Sequence, residues 1–347
     1  MKQNSLLLGF INSREKENLD TFEINEQTYL DSKIGGFPHW LDFKNLCEIP
    51  TCTGTCEKPL KFLLQIYAPI KNIVHAFHRT LYIFVCGSKK CDNRNFFIIR
   101  CQMPEKNEIH TLNFFQTDNP YFETVSKVAN ICVACGVSAD KKCSKCMTFY
   151  CSKFHQISDW PVHKDHCKCG NSPKKSQCWP EFQISIYSPE PIIIKKNESL
   201  FTHQVSDLLP PSLETLSIDS QLPAEPFNEF TDTYENSIKD IVFYKFRKSI
   251  HKYPDQIIRY DRGATPLWIS GKNKILKEDI PHCTNCGANR VFEFQVMPQL
   301  LNYIELPADN ELDWGILSVY TCTKSCEPKT NKSNYVQEFL HVQQIKI

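Results

Sequence analysis

Residues 132–167 read CVACGVSADKKCSKCMTFYCSKFHQISDWPVHKDHC. Cys132 with Cys135, and Cys143 with Cys146, are two Cys-x-x-Cys pairs, a spacing that puts two thiolates on one side of a tight turn. Cys151 with His155, and His163 with Cys167, are each four residues apart, so on a helix both side chains of a pair leave the same face. Zinc takes four thiolate or imidazole ligands in a tetrahedron, at roughly 2.0 to 2.3 Å, and each pair supplies half of such a set. These eight ligands predict a zinc module with two ions, and the remaining cysteines are then to be read for the same chemistry.

Outside this stretch the cysteines are paired too: Cys52 with Cys56, Cys86 with Cys91, Cys283 with Cys286, and Cys322 with Cys326. Each half of the chain thus holds one possible four-ligand set. Cys283 and Cys286 have the usual knuckle spacing, whereas Cys52-x-x-x-Cys56 is one residue wider and leaves Cys47 as a competing ligand. The alternative for either set is a cluster of buried free thiols acting as small hydrophobes, which is also the reading for the unpaired Cys101, Cys169 and Cys178. The halves share their spacing as well. Gly35, Pro38, Trp40 and Leu41 match Gly263, Pro266, Trp268 and Ile269, and Cys56, Phe62 and Gln65 match Cys286, Phe292 and Gln295. An alternating apolar run leads into the second pair in each copy, Leu81–Val85 before Cys86 and Leu317–Thr321 before Cys322. That alternation predicts strands, with each cysteine pair on a turn at a strand end. Recurrence of Trp40, Gln65, Trp268 and Gln295 fits a shared groove or a shared core, and core packing is the simpler reading.

With 347 residues the chain has room for two or three domains, and 41% hydrophobic content supports a real core. A net charge of +1 argues against binding nucleic acid through bulk charge. No membrane segment is expected, and Leu6–Ile11, followed by Arg14, Glu15, Lys16 and Glu17, is too short for a secretory signal. The 18 cysteines are therefore read in a reducing compartment, where pairs mean metal rather than disulfide. From about Tyr187 to Tyr234 the sequence is rich in Ser, Pro, Asp and Glu, and 207–235 holds no Lys or Arg, which predicts a flexible acidic linker. Ile238, Ile241, Val242, Phe246, Ile250 and Tyr253 then recur at helical period up to Pro254, with Lys245, Arg247, Lys248 and Lys252 around the rest of the helix. A helix packed on the second half with a solvated basic face is the simpler expectation; a phosphate-binding surface is the other.

The pattern at 132–167 resembles the MYND zinc finger, whose two sites interleave. The resemblance implies Cys132, Cys135, Cys151 and His155 around one ion, and Cys143, Cys146, His163 and Cys167 around the other. Most such fingers carry Cys where this chain has His155, and imidazole keeps the site intact. MYND fingers commonly bind short proline-containing peptides, and Ser144, Gln156 and Trp160 match the groove positions. Beyond the finger, Phe62–Pro69, Ala76–Arg79, Ile257–Tyr260, Pro266–Ser270 and Phe292–Leu301 resemble the programmed cell death protein 2 family, in that family's order. The wider Cys52 pair departs from its usual knuckle. The expected fold is mixed and β-rich: two pseudo-symmetric zinc-stabilised β halves, an inserted MYND finger and an acidic flexible linker. The corresponding boundaries are 1–128 for the N-terminal half, 129–168 for the finger, 169–235 for the connector and 236–347 for the C-terminal half.

The resemblance further implies a cytoplasmic and nuclear factor that acts as a dedicated chaperone for one basic small-subunit ribosomal protein in 40S subunit biogenesis. An adaptor using its finger in transcription, apoptosis or proliferation control is the alternative. Free ribosomal proteins are basic with exposed apolar segments, so a holder needs apolar grooves and negative charge, which the linker could supply. An enzyme is not expected. Every inferred set has four protein ligands, whereas catalytic zinc keeps a position open, and there is no Gly-rich phosphate loop or nucleophile elbow. His75, His78 and Arg79 lack an acidic partner at recognisable spacing and are expected as loop and strand-end residues. Direct nucleic-acid reading by the finger is disfavoured, because Asp159 and Asp165 interrupt its lysines. Four zinc ions per chain are expected, and the finger is expected to be a self-contained module.

Overall fold

The computed structural model of the protein describes residues 6–12, 30–88, 91, 95–107, 125–167, 178–189, 231–306, 312–329 and 333–344, the side chains of 231–240 excepted. The N-terminal half contributes β1 (Leu7–Ile11), β2 (Lys33–Ile34), β3 (Lys61–Tyr67), β4 (His78–Val85) and β5 (Phe96–Met103). The finger holds β6 (Lys141–Lys142), β7 (Phe149–Tyr150) and the helix α1 (Lys153–His166), and β8 (Phe182–Tyr187) follows it. Helix α2 (Thr231–Ile250) leads into β9 (Ile258–Tyr260), β10 (Arg290–Val296), β11 (Ile316–Cys322), β12 (Tyr335–Gln337) and β13 (Phe339–Gln343). Eleven of these strands join in one sheet, in the order β12-β5-β4-β3-β2-β8-β1-β9-β10-β11-β13.

The repeat expected from spacing is present: β2, β3, β4 and β5 correspond in sheet order to β9, β10, β11 and β13, while β12, paired on β5, has no counterpart among the described residues. β3 and β4 slip register between Phe62 and Leu64, and β10 and β11 slip at the equivalent Phe292 and Phe294, so both copies carry the same bulge. The Gln65 side-chain oxygen accepts from the His39 amide at 2.8 Å and that of Gln295 accepts from the Leu267 amide, which ties Trp40 and Trp268 into matching positions beside the two halves of the sheet. Each half borrows a strand from elsewhere in the chain. β1, from the N terminus, pairs with the C-terminal half's β9, while β8, from the segment expected as a connector, pairs with the N-terminal half's β2; β1 and β8 then pair with each other and join the halves. At the far side one stretch finishes both edges: β12 pairs with β5 and β13 with β11, with Glu338 between them. The sheet is therefore nearly closed.

Alternation divides the side chains between two faces. On β4, Leu81, Ile83 and Val85 point inward to a core shared with Phe294, Val296, Leu317 and Val319 of the other half. Tyr82 and Phe84 point outward and pack with Trp40 and the finger's Ala134, Val137 and Tyr150. The finger is thus not the self-contained module expected: its apolar face completes the outer core of the N-terminal half. On the C-terminal half the outer face is met by α2, whose Phe246 and Ile250 pack with Leu267, Ile269, Met297 and Ile316. That helix ends at Ile250, before the expected Pro254 stop, and begins at Thr231, inside the expected linker. Most of the acidic stretch, 190–230, lies outside the described residues. No helix among the described residues is long and apolar enough to cross a membrane.

Candidate metal centres and the buried ion pairs

Four sets of Cys and His side chains come together: Cys52, Cys56, Cys86 and Cys91; Cys132, Cys135, Cys151 and His155; Cys143, Cys146, His163 and Cys167; and Cys283, Cys286, Cys322 and Cys326. Within each set the ligand atoms all lie within 4.8 Å of one another. The sets are those expected, the finger's two interleave, and Cys47 is in none of them. Tight turns place the thiolates. Gly136 (φ 73°) and Gly287 (φ 72°) occupy the left-handed region after Cys135 and Cys286, and each amide donates back to the first cysteine's carbonyl at 2.8 Å. Sulfur pairs stand 3.5 Å apart for Cys52 with Cys91 and Cys56 with Cys86, and 3.7 Å for Cys143 with Cys167 and Cys283 with Cys326. A tetrahedron of zinc–sulfur bonds of about 2.3 Å has edges of about 3.8 Å, so four-thiolate and mixed thiolate–imidazole sets of this size fit zinc.

The two finger histidines present different nitrogens. His155 turns Nδ1 to Cys151 (3.1 Å) and Cys132 (3.6 Å), its ring placed by the helix N-cap in which the Ser152 hydroxyl accepts from the His155 amide. His163 turns Nε2 to Cys146 at 3.3 Å. Its Nδ1 lies 4.0 Å from the Asp159 carboxylate, which is buried and accepts from the Tyr150 hydroxyl at 2.7 Å. That separation is too long for a hydrogen bond, and His163 Nδ1 has no hydrogen-bond partner among the described residues, so Asp159 stands near the ligating imidazole while its carboxylate is engaged by Tyr150. In the sequence alone Asp159 shows only as a break in a basic stripe.

The peptide-groove candidates occupy the finger surface. Ser144 is exposed on the second knuckle, Gln156 is half-buried on α1, and Trp160 is 49% exposed one turn further on, near Ile157 at 60%. Among the remaining candidates, Trp40, Gln65 and Gln295 are core residues, while Trp268 is only half-buried. Burial pushes the Cys47 thiol up to about 12 and that of Cys101 well above its ordinary value, as suits inert thiols. Cys178 is half-buried, and Cys169 lies outside the described residues.

Arg79 lies at a strand end, as expected, second in β4, but it has an acidic partner that no spacing in the sequence marks. It is fully buried at the seam between the halves and forms a two-pronged ion pair with Glu293, its second nitrogen 2.6 Å from the carboxylate. Glu293 also accepts from the hydroxyls of Tyr260, at 2.8 Å, and of Thr321, with Arg262 3.6 Å away. Burial alone would raise the Glu293 carboxyl; the Arg79 charge and hydrogen bonds outweigh it and hold the pKa at about 2. This acidic partner cannot be read from the sequence, because 214 residues separate it from Arg79 and no local spacing marks such a pair. A second carboxylate does the same work nearby: Glu338 accepts from Arg100 at 2.7 Å and from Arg290 at 3.0 Å. His75 joins the seam as well, its Nε2 2.8 Å from the Ser325 carbonyl beside Cys326. The Tyr67 hydroxyl and His78 Nδ1 pair at 2.9 Å at the start of β4.

The N-terminal domain of programmed cell death protein 2 matches residues 5–117 of this chain, the MYND finger 132–167 and the C-terminal putative domain of programmed cell death protein 2 240–344. Programmed cell death protein 2 of Bos taurus is 35% identical over 334 residues, 90% of this chain and 91% of the relative, and that of Mus musculus is 36% identical over 337 residues with the same shares. This chain belongs to the programmed cell death protein 2 family. The probable 20S rRNA accumulation protein 4 of Schizosaccharomyces pombe is 24% identical over 89% of this chain and 92% of that one. No solved structure matches the chain. The family's two matched domains are the two sheet halves seen here, and its MYND finger is the module that covers one of them.

Proposed function

We propose that this chain is a non-enzymatic chaperone that holds a basic small-subunit ribosomal protein before its assembly into 40S subunits, working in the cytoplasm and nucleus. The observation that carries the reading is the likeness, over 89% of the chain, to a relative named for 20S rRNA accumulation. The metal centres support it: each set offers four protein ligands and so suits four structural zinc ions rather than a Lewis acid with an open position. The residues would hold the ions, and the ions would fix turns and strand ends. The stretch 207–235, free of Lys and Arg, offers negative charge to a basic client.

A second reading is favoured by the finger itself, where Met147, Phe154, Ile157 and Trp160 are all more than 40% exposed. Such a surface suits an extended proline-containing peptide and an adaptor role in transcription or cell-death control. Mass spectrometry of proteins bound to the tagged full chain at physiological salt tests both. The chaperone reading expects one small-subunit ribosomal protein, retained by Trp160→Ala. Proline-rich regulators lost with Trp160→Ala, and no ribosomal protein, would establish the adaptor instead.

A further inference from the structure

The two halves carry the same turn, and among the described residues one copy is covered and the other is not. In the N-terminal copy a Cβ added at Gly35 would stand 1.9 Å from the Pro180 carbonyl oxygen, and one added at Gly136 of the finger would stand 2.8 Å from Phe37. Trp40 is 1% exposed, and its indole N–H donates to the Gly136 carbonyl at 2.7 Å. The finger's first knuckle and the chain leaving the finger therefore fill this face.

Among the described residues nothing covers the equivalent places of the C-terminal copy. A Cβ at Gly263 would meet nothing within 4 Å, and Thr265, in the position of Phe37, is exposed. Trp268 is half-buried, its ring edge-on to His341 at 5.9 Å, and its indole N–H has no partner among the described residues. The surface is nonetheless rigid. Gln295 holds Leu267, His341 Nε2 lies 2.8 Å from the Asn273 carbonyl, and Gln343 donates to the carbonyls of Ser270 and Lys272 at 2.9 and 2.7 Å. That clamp fixes the backbone of the loop that carries the exposed Lys272 and Lys274 a few residues after Trp268, and α2, packed on Leu267 and Ile269, carries the exposed Lys245, Arg247 and Lys248. Residues 241–280 hold nine Lys and Arg against four Asp and Glu.

We propose that the Trp268 face is a docking site for an acidic partner polypeptide, seated as the finger's knuckle is seated on Trp40. Its turn offers a backbone carbonyl to the Trp268 indole, and its carboxylates reach Lys272 and Lys274. The filled copy supplies the shape and the local charge supplies the sign. A basic ribosomal client does not suit this face, so the proposal stands apart from the proposed function.

Disulfide-closed heptapeptide loops displayed on phage and panned on the full chain provide the test. Loops rich in Asp, Glu and Gly are expected. Trp268→Phe keeps the ring and removes the N–H, and should weaken them by about three- to tenfold, the value of one hydrogen bond. Lys272→Glu with Lys274→Glu, on an exposed loop that leaves the melting temperature unchanged, should exclude acidic loops and select basic ones. Recovery of no loops, of loops indifferent to both variants, or of acidic loops that bind only after 207–230 is deleted overturns the proposal; the last outcome would make the chain's own acidic stretch the occupant.

Discussion

Glu293→Gln removes one negative charge at the seam and leaves the Arg79 guanidinium buried without a counter-charge. The native carboxylate is fully buried, meets Arg79 in two places and also accepts from Tyr260 and Thr321. Its pKa falls from an ordinary 4.5 to about 2 in the folded protein. At about 1.4 kcal/mol per unit, that depression amounts to about 3 kcal/mol of stability, which agrees with the roughly 3–5 kcal/mol lost when one partner of a buried pair is removed. The sign follows from the direction: the contribution is complete above the unfolded value of 4.5 and disappears as pH falls toward about 2. Urea unfolding at pH 7 should therefore place Glu293→Gln about 3–5 kcal/mol below the wild type. Between about pH 5 and 2.5 the wild type should lose this increment while the variant, with nothing to titrate there, loses correspondingly less. Arg79→Met should cost a similar amount, and Arg79→Met with Glu293→Met less than the two added, because neither charge is then stranded. A Glu293→Gln protein within about 1 kcal/mol of wild type, with an unchanged acid limb, would refute the argument.

Metal analysis of the purified chain should give four zinc ions, and Cys286→Ala three; two ions in the wild type would mean that the outer sets are thiol clusters only. Asp159→Asn removes a buried charge 4.0 Å from His163 and should weaken zinc retention against a chromogenic chelator in the set containing His163 by less than the roughly 10-fold of a hydrogen-bonded carboxylate, leaving the set containing His155 untouched. Trp40→Phe removes the hydrogen bond to Gly136 and should raise hydrogen exchange through 132–137 with a stability loss of about 1–3 kcal/mol; unchanged exchange would show that the finger sits on the half without needing that bond. Deleting Leu7–Ile11 uncovers the edges of β8 and β9 and should produce aggregation visible in light scattering, whereas a variant as soluble as the wild type would mean that the seam closes without β1.

Chemistry that repeats at short range is legible in residue order alone. The knuckles and the four-residue Cys and His spacings act within a turn or one helical face, so the finger's ligand pairs and the paired strand ends of each half can be read from the sequence, while which pairs share an ion is what the MYND resemblance implies. Equal spacing of Gly35–Trp40 with Gly263–Trp268 likewise marks two copies of one β unit, since register converts spacing into side-chain direction. Whatever depends on which distant segments meet is decided only by the tertiary structure. Leu7–Ile11 is a bare apolar stretch until β8 and β9 accept it on both edges, and Arg79 has no acidic partner until the halves close on Glu293. Trp40 and Trp268 are equal in sequence and become unequal in space, because the finger that follows β5 packs its apolar face over the first, and among the described residues nothing takes that place over the half-buried second. Local patterns constrain a residue's own turn or strand, whereas burial and charge pairing depend on which long-range contacts offset the entropy of closing the chain, and that is a property of the whole fold.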